Sequence, residues 1–162
     1  MEDKEQLVRL VNSAYRGEEA RQGWTHEADL IEGELRTDES DLQELLSNPN
    51  STILKANLDG QLAGCVYLER QDHVLYLGML SVSPRLQSHG IGKALLAAAD
   101  DHARKHSCHS IHMTVISARP ELIQWYERNG YRKTAETKPF QVEERFGRPR
   151  QPVEFSVMEK KL

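Results

Sequence analysis

The segment from Val82 to Leu95 constrains this chain more than any other part of it. It runs Val82-Ser83-Pro84-Arg85-Leu86-Gln87-Ser88-His89-Gly90-Ile91-Gly92-Lys93-Ala94-Leu95, the form V-x-P-x-x-Q-x-x-G-x-G-x-x-L. Before it, Val74 to Val82 is apolar on both alternating faces, as a central strand covered on both sides would be. After it, Gly90 to Lys105 places Ile91, Ala94, Leu95, Ala98 and His102 along one helix face. Glycines at such a helix entrance let the backbone approach a ligand closely. The unpaired N–H groups there, at the positive end of the helix dipole, favour a phosphate, and a pyrophosphate fits.

Other phosphate loops fit less well. A Walker loop needs four residues between its first Gly and Gly-Lys, then Ser or Thr. Here only Ile91 separates the glycines, and Ala94 follows Lys93. A dinucleotide-binding loop needs Gly where Leu95 stands, and it usually follows the first strand of a doubly wound fold. A lone G-x-G could also be a turn with no ligand; Val82, Pro84, Gln87 and Leu95 in register weigh against that.

The flanking pattern is α+β. Leu7, Leu10, Val11 and Ala14 predict a helix over about Asp3 to Tyr15. A loop-rich stretch follows, and then a short helix carries Leu42, Leu45 and Leu46 up to Asn48-Pro49. Thr52 to Ala56 and Leu62 to Leu68 flank Asp59-Gly60 and predict an antiparallel hairpin. Ile111 to Ile116 predicts a strand parallel to the central one through a right-handed helical crossover, which makes the sheet mixed. Pro120 to Asn129 reads as a helix with Leu122, Ile123 and Tyr126 on one face. Strands near Tyr131 to Thr137 and Val153 to Lys160 close the chain, around a loop containing Arg145 to Pro149.

With 162 residues the expectation is one domain spanning 1–162, and with a net charge of −4 there is no overall basic field for nucleic acid. Cys65 and Cys108 lack C-x-x-C spacing, which argues against a disulfide framework or thiolate zinc site and fits a reduced cytoplasm. No apolar run is long enough for a membrane span, and Met1-Glu2-Asp3-Lys4-Glu5 is too polar for a signal peptide. A soluble cytoplasmic protein is expected, with a two-fold homodimer the default oligomer.

The chain resembles the GNAT superfamily of acetyl-CoA-dependent N-acetyltransferases, over roughly Leu7 to Lys160 and most specifically from Leu77 to Tyr131. The carriers are the Gln87 to Gly92 turn and a second signature, Trp125-Tyr126-Glu127-Arg128-Asn129-Gly130-Tyr131. The resemblance implies the GNAT fold, a largely antiparallel mixed sheet flanked by helices, with a parallel strand-helix-strand unit at the coenzyme site. It implies that Gln87, Ser88, His89, Gly90, Ile91, Gly92 and Lys93 hold the coenzyme A pyrophosphate, and that Leu80, Ser81 and Val82 hold the pantetheine arm. Amine attack on a thioester develops an oxyanion and expels a thiolate. By resemblance the Leu80 amide meets the oxyanion and the Tyr126 hydroxyl protonates the thiolate. Where the family often has Asn and Ala ahead of this Tyr, Arg119 and Leu122 stand here, and only a few residues precede the first helix where the family usually has a strand.

The acceptor is expected to be a primary amine on a small, amino-acid-like molecule, met by the segment containing Trp24, Glu27, Glu34 and Arg36 and by the loop with Phe140 and Arg145 to Arg148. The general base stays open among Glu69, His73, Glu34 and His112. No metal is expected, since His109 and His112 fall beyond the helix end and no carboxylate joins His102 and His106 in register. Competing readings are a coenzyme-A-sensing regulatory module on the same fold, a protein or peptide N-acetyltransferase, and a nucleotide-binding protein using the same turn.

Overall fold

The computed structural model describes residues 2–16, 31–32, 35–86, 90–139, 146–150 and 153–162. Along the chain run α1 (Glu2–Tyr15), β1 (Ile31–Glu32), α2 (Glu39–Leu46), β2 (Ser51–Leu58), β3 (Gln61–Gln71), β4 (Val74–Val82) and a 3-10 turn (Pro84–Leu86). Next come α3 (Ile91–Lys105), β5 (Ser110–Ile116), α4 (Pro120–Arg128), β6 (Arg132–Pro139), β7 (Arg148–Pro149) and β8 (Glu154–Lys161). Six strands form a mixed sheet in the order β2-β3-β4-β5-β8-β6. Within it β4 and β5 run parallel, while the other described pairings are antiparallel. The β2–β3 hairpin turns at Asp59 and Gly60, whose φ angles of 51° and 78° suit a tight primed turn. Among the described residues no helix is long and apolar enough to cross a membrane.

Each sheet face carries its own core. On one side Val66, Leu68, Leu75, Leu77 and Leu80 pack against Leu95, Leu96, Ala99 and Ala103 of α3 and against Leu122, Ile123 and Tyr126 of α4. On the other, Cys65, Tyr67 and Met79 pack against Leu7, Leu10 and Val11 of α1 and Leu42 of α2. The α3 face therefore differs from the expected one: Ala94 is exposed, and Leu96, Ala99 and Ala103 replace Ala98 and His102 at the centre of the contact. A helix with alanines on several sides gives its apolar stripe little definition, and here Leu96 decides the orientation.

β4 does not alternate cleanly. Tyr67 pairs with Gly78 and Cys65 with Ser81, so β4 carries one residue more than β3 between those pairs. The extra residue is a β-bulge, in which Met79 takes a left-handed φ of 51°. Met79 consequently joins the α1-side core, and Leu80 the α3-side core, the reverse of what alternation from Leu75 and Leu77 would give. The Ser81 hydroxyl donates to the Met79 carbonyl at 3.0 Å and braces the kink.

A two-stranded sheet absent from the sequence expectations pairs Ile31 with Pro149 and Glu32 with Arg148, in stretches read above as loop. Ile31 is buried beneath it. Among the described residues no strand precedes α1, and β2 forms an edge of the main sheet.

Candidate active site

The parallel pairing of β4 and β5 runs from Val74–Ser110 to Tyr76–His112 and ends there, just ahead of the Met79 bulge. Beyond it, Gly78 and Met79 of β4 and Thr114, Val115 and Ile116 of β5 line a cleft with about 740 Å³ of empty space, counting its open mouth. A bent strand cannot keep its ladder with a straight neighbour, so the bulge accounts for the parting. A Cβ at Gly78 would lie 3.0 Å from the Tyr76 ring, so a larger residue there would press on that ring.

The Val82–Leu95 segment lies just past this opening. Gly90 caps α3 in the left-handed conformation, with φ 76°, and a Cβ at this position would meet nothing within 4 Å. The first intrahelical bond runs from the Ala94 N–H to the Gly90 carbonyl, so the N–H groups of Ile91, Gly92 and Lys93 precede the ladder and point out of the helix end. Gly92 lets Trp125 close on the helix: a Cβ there would sit 3.3 Å from the indole ring. The open space at Gly90 and these amides make a cradle that fits a phosphate group. Leu80, Ser81 and Val82 are buried at the end of β4. Gln87, Ser88 and His89 lie outside the described residues.

Tyr126 lines the cleft from α4. Burial, with a smaller contribution from nearby Tyr131, raises its pKa above the usual phenol value, so its proton stays in place at neutral pH. It packs edge-on against Trp125 and Tyr131, with ring centroids 5.0 and 5.9 Å away.

The far part of the cleft is basic and aromatic. Tyr15, Arg16, Arg36, Tyr76, Arg119, Phe146 and Phe155 line it, and no Asp or Glu does among the described residues. The Tyr15 hydroxyl donates to the Leu80 carbonyl, tying α1 to the end of β4. Arg16 is buried and its Nη2 donates to the Phe146 carbonyl at 2.9 Å. Arg119 precedes Pro120 of α4, and its Nε donates to the Glu121 carboxylate at 2.9 Å. The Arg36 guanidinium lies 5.7 Å from the Tyr15 ring centroid. Asn12 clamps its backbone: Oδ1 accepts from the Arg36 and Thr37 N–H groups, and Nδ2 donates to the Thr37 carbonyl at 3.1 Å.

Of the acceptor residues expected from sequence, Arg36 and Phe146 are in the cleft; Trp24, Glu27 and Glu34 lie outside the described residues, as do Phe140 and Arg145. Tyr76, Thr114, Arg119 and Phe155, which also line the cleft, were not singled out as acceptor-site residues. Their signal was faint, since Arg119 registered only as a departure from the family pattern. Of the base candidates, Glu69, His73 and His112 do not line the cleft, and Glu34 lies outside the described residues. Glu69 accepts from the Tyr67 hydroxyl and Gln71 Nε2, both at 2.7 Å, which lowers its pKa, Gln71 contributing most. His112 Nε2 pairs with Glu159 at 2.7 Å. His73 stacks near His109, with centroids 5.2 Å apart, at the turn into β4, the other end of that strand from the bulge. The His102 and His106 rings are 4.3 Å apart, and among the described residues no group of three or more His, Cys, Asp or Glu could hold a metal.

Comparison with known proteins places these features in a family context. A model of the Acetyltransferase (GNAT) family matches residues 9–131. Acetyltransferase Atu2258 of Agrobacterium fabrum is 31% identical over 104 residues, covering 64% of this chain and 70% of the relative. The fold is similar to the ribosomal-protein-alanine N-acetyltransferase from Brucella melitensis, with a TM-score of 0.71 at 23% identity over 99% of this chain and 95% of that one. It is also similar to the PaiA N-acetyltransferase from Thermoplasma acidophilum in complex with coenzyme A, with a TM-score of 0.69 at 20% identity over 99% and 94%.

Proposed function

The chain belongs to the GNAT acetyltransferase family, whose acyl donor is acetyl-CoA, and we propose that it moves acetyl to the primary amine of a small, amino-acid-like acceptor by direct transfer, as a single domain. The observation that carries this reading is Tyr126, a protonated phenol lining the cleft where β4 and β5 part, close to the amide cradle of α3. Gly90, Ile91, Gly92 and Lys93 would hold the pyrophosphate, joined by Gln87, Ser88 and His89, and Leu80, Ser81 and Val82 would hold the pantetheine arm. Bound there, acetyl-CoA supplies an activated thioester. The Leu80 N–H donates to the oxygen on which negative charge develops, and Tyr126 holds a proton for the departing sulfur.

Nothing in the described lining acts as a carboxylate base, and the guanidinium groups offer a physical substitute. A like charge nearby disfavours an ammonium ion, so an amine entering this cleft sheds its proton more readily. Such an amine could pass its proton to water.

Steady-state acetyl-CoA turnover against an amine panel tests the reading. Tyr126→Phe keeps the ring packing, and kcat is expected to fall by about 100-fold with the KM for acetyl-CoA little changed. Full activity in that variant would remove Tyr126 from the chemistry. Transfer to peptide amino termini but to no small amine would replace the acceptor class.

A further inference from the structure

We infer that the acceptor carries a carboxylate as well as its amine, and that Arg36 reads it. The inference rests on the acetyl-transfer reading and deepens it. Arg16, Arg36 and Arg119 line one cleft in a chain whose net charge is −4, and no Asp or Glu is among its described lining. Of these, Arg36 has no carboxylate partner among the described residues, and a guanidinium facing a substrate cleft in that state is matched when the substrate brings the anion.

The three have different duties. Arg119 already faces the Glu121 carboxylate. Buried Arg16 commits a donor to the Phe146 carbonyl, where it joins α1 to the loop ahead of β7. Arg36 is half-buried, lies against the Tyr15 ring, and has no carboxylate partner among the described residues. Asn12 fixes the Arg36 backbone and the Tyr15 ring lies beside its guanidinium, whose planar fork suits two parallel N–H bonds to a carboxylate. Tyr15 also donates to the Leu80 carbonyl. The arginine that would hold the carboxylate is therefore stacked on the residue that touches the strand end where acetyl is delivered. An α-amino acid, with its amine one carbon from its carboxylate, suits that short span. Tyr76, Phe146 and Phe155 supply an apolar wall for its side chain.

Matched acceptors test this: phenylalanine, phenylalaninamide and phenethylamine, each assayed for thiol release from acetyl-CoA. The acid should exceed the other two in kcat/KM by about ten- to a hundredfold, the span of a charge-assisted bidentate contact. That ratio should collapse towards one in Arg36→Gln and recover in part in Arg36→Lys. N-acetylphenylalanine should inhibit the unsubstituted protein at lower concentration than N-acetylphenylalaninamide, a comparison that needs no variant. Equal or better turnover of the amide or the decarboxylated amine overturns the inference while leaving acetyl transfer intact, and so does a ratio that survives Arg36→Gln. Coenzyme binding with transfer to no amine overturns the acetyl-transfer reading, and this inference with it.

Discussion

Replacing Gly64 by alanine places a methyl group under the helix entrance proposed to hold the coenzyme. Gly64 lies on β3 opposite Val82. A Cβ there would stand 2.8 Å from Ile91 Cγ2, 3.0 Å from Leu95 Cδ1 and 3.0 Å from the Ser81 carbonyl oxygen. Ordinary contact begins at 3.4 Å, so the shortfall against Ile91 is about 0.6 Å. The Ser81 carbonyl belongs to the sheet and cannot retreat, which leaves the first turn of α3 to move. Overpacking of this kind costs about 1–3 kcal/mol. Because a misplacement of about 1 Å near reacting groups costs on the order of 100-fold, a displacement of about 0.6 Å predicts a KM for acetyl-CoA raised about tenfold. Urea unfolding and steady-state kinetics measure the two effects separately. Gly60→Ala is the control: its φ of 78° makes alanine strained, but a Cβ there meets nothing within 4 Å, so about 1 kcal/mol of stability is lost with no change in that KM. If Gly64→Ala destabilised the protein and left the KM for acetyl-CoA unchanged, α3 would not be the coenzyme cradle. Unchanged stability would refute the packing argument itself.

Three further outcomes follow from single contacts. Asn12→Ala removes the clamp on Arg36 and Thr37 and should cost about 1–3 kcal/mol in unfolding experiments, while the KM for the acceptor rises and that for acetyl-CoA does not. Burial pushes the Cys65 thiol up to about 12, against a smaller opposing effect of Ser81, and burial also raises Cys108. Both should therefore resist iodoacetamide at pH 8 in the folded protein and react once urea unfolds it, as read by mass spectrometry. His102 is held below its ordinary 6.5, first by burial and then by His106 and Lys105. The unfolded chain takes up that proton near 6.5 and the folded chain only at lower pH, so in between the unfolded state binds more protons and stability rises with pH. A proton NMR titration should put the His102 midpoint below 6.5, and His102→Gln should flatten that part of the stability curve.

The elements visible in the sequence were those with a sustained period or a special turn: α1, the Asp59-Gly60 hairpin, the β4–α3–β5 unit and α4 with its Tyr126 face. What escaped did so for identifiable reasons. Every residue from Val74 to Leu80 suits a buried strand, so a one-residue slip at Met79 changes which face each side chain serves without disturbing any pattern. The β1–β7 pair has two residues per strand, too few for an alternation to register. The arginines of the cleft come from the end of α1, the approach to α2 and the start of α4, so only the folded chain brings them together. The glycine turn proposed as coenzyme cradle is contiguous and so visible in the sequence, whereas the arginine and aromatic lining of the cleft is assembled from distant segments.

That difference sets an order of events when the chain first folds. The Arg16–Phe146 hydrogen bond joins residues 130 apart, whereas the amide cradle and Tyr126 come from one strand-helix-strand-helix stretch. Contacts of long sequence separation carry a high loop-closure cost and form late. On the ribosome, the stretch proposed to hold the coenzyme is synthesised before Phe146, whose carbonyl meets Arg16 at the far side of the cleft. The acceptor side of the cleft is thus the last to close as the chain is made, and its closure depends on a contact between the two ends of the chain.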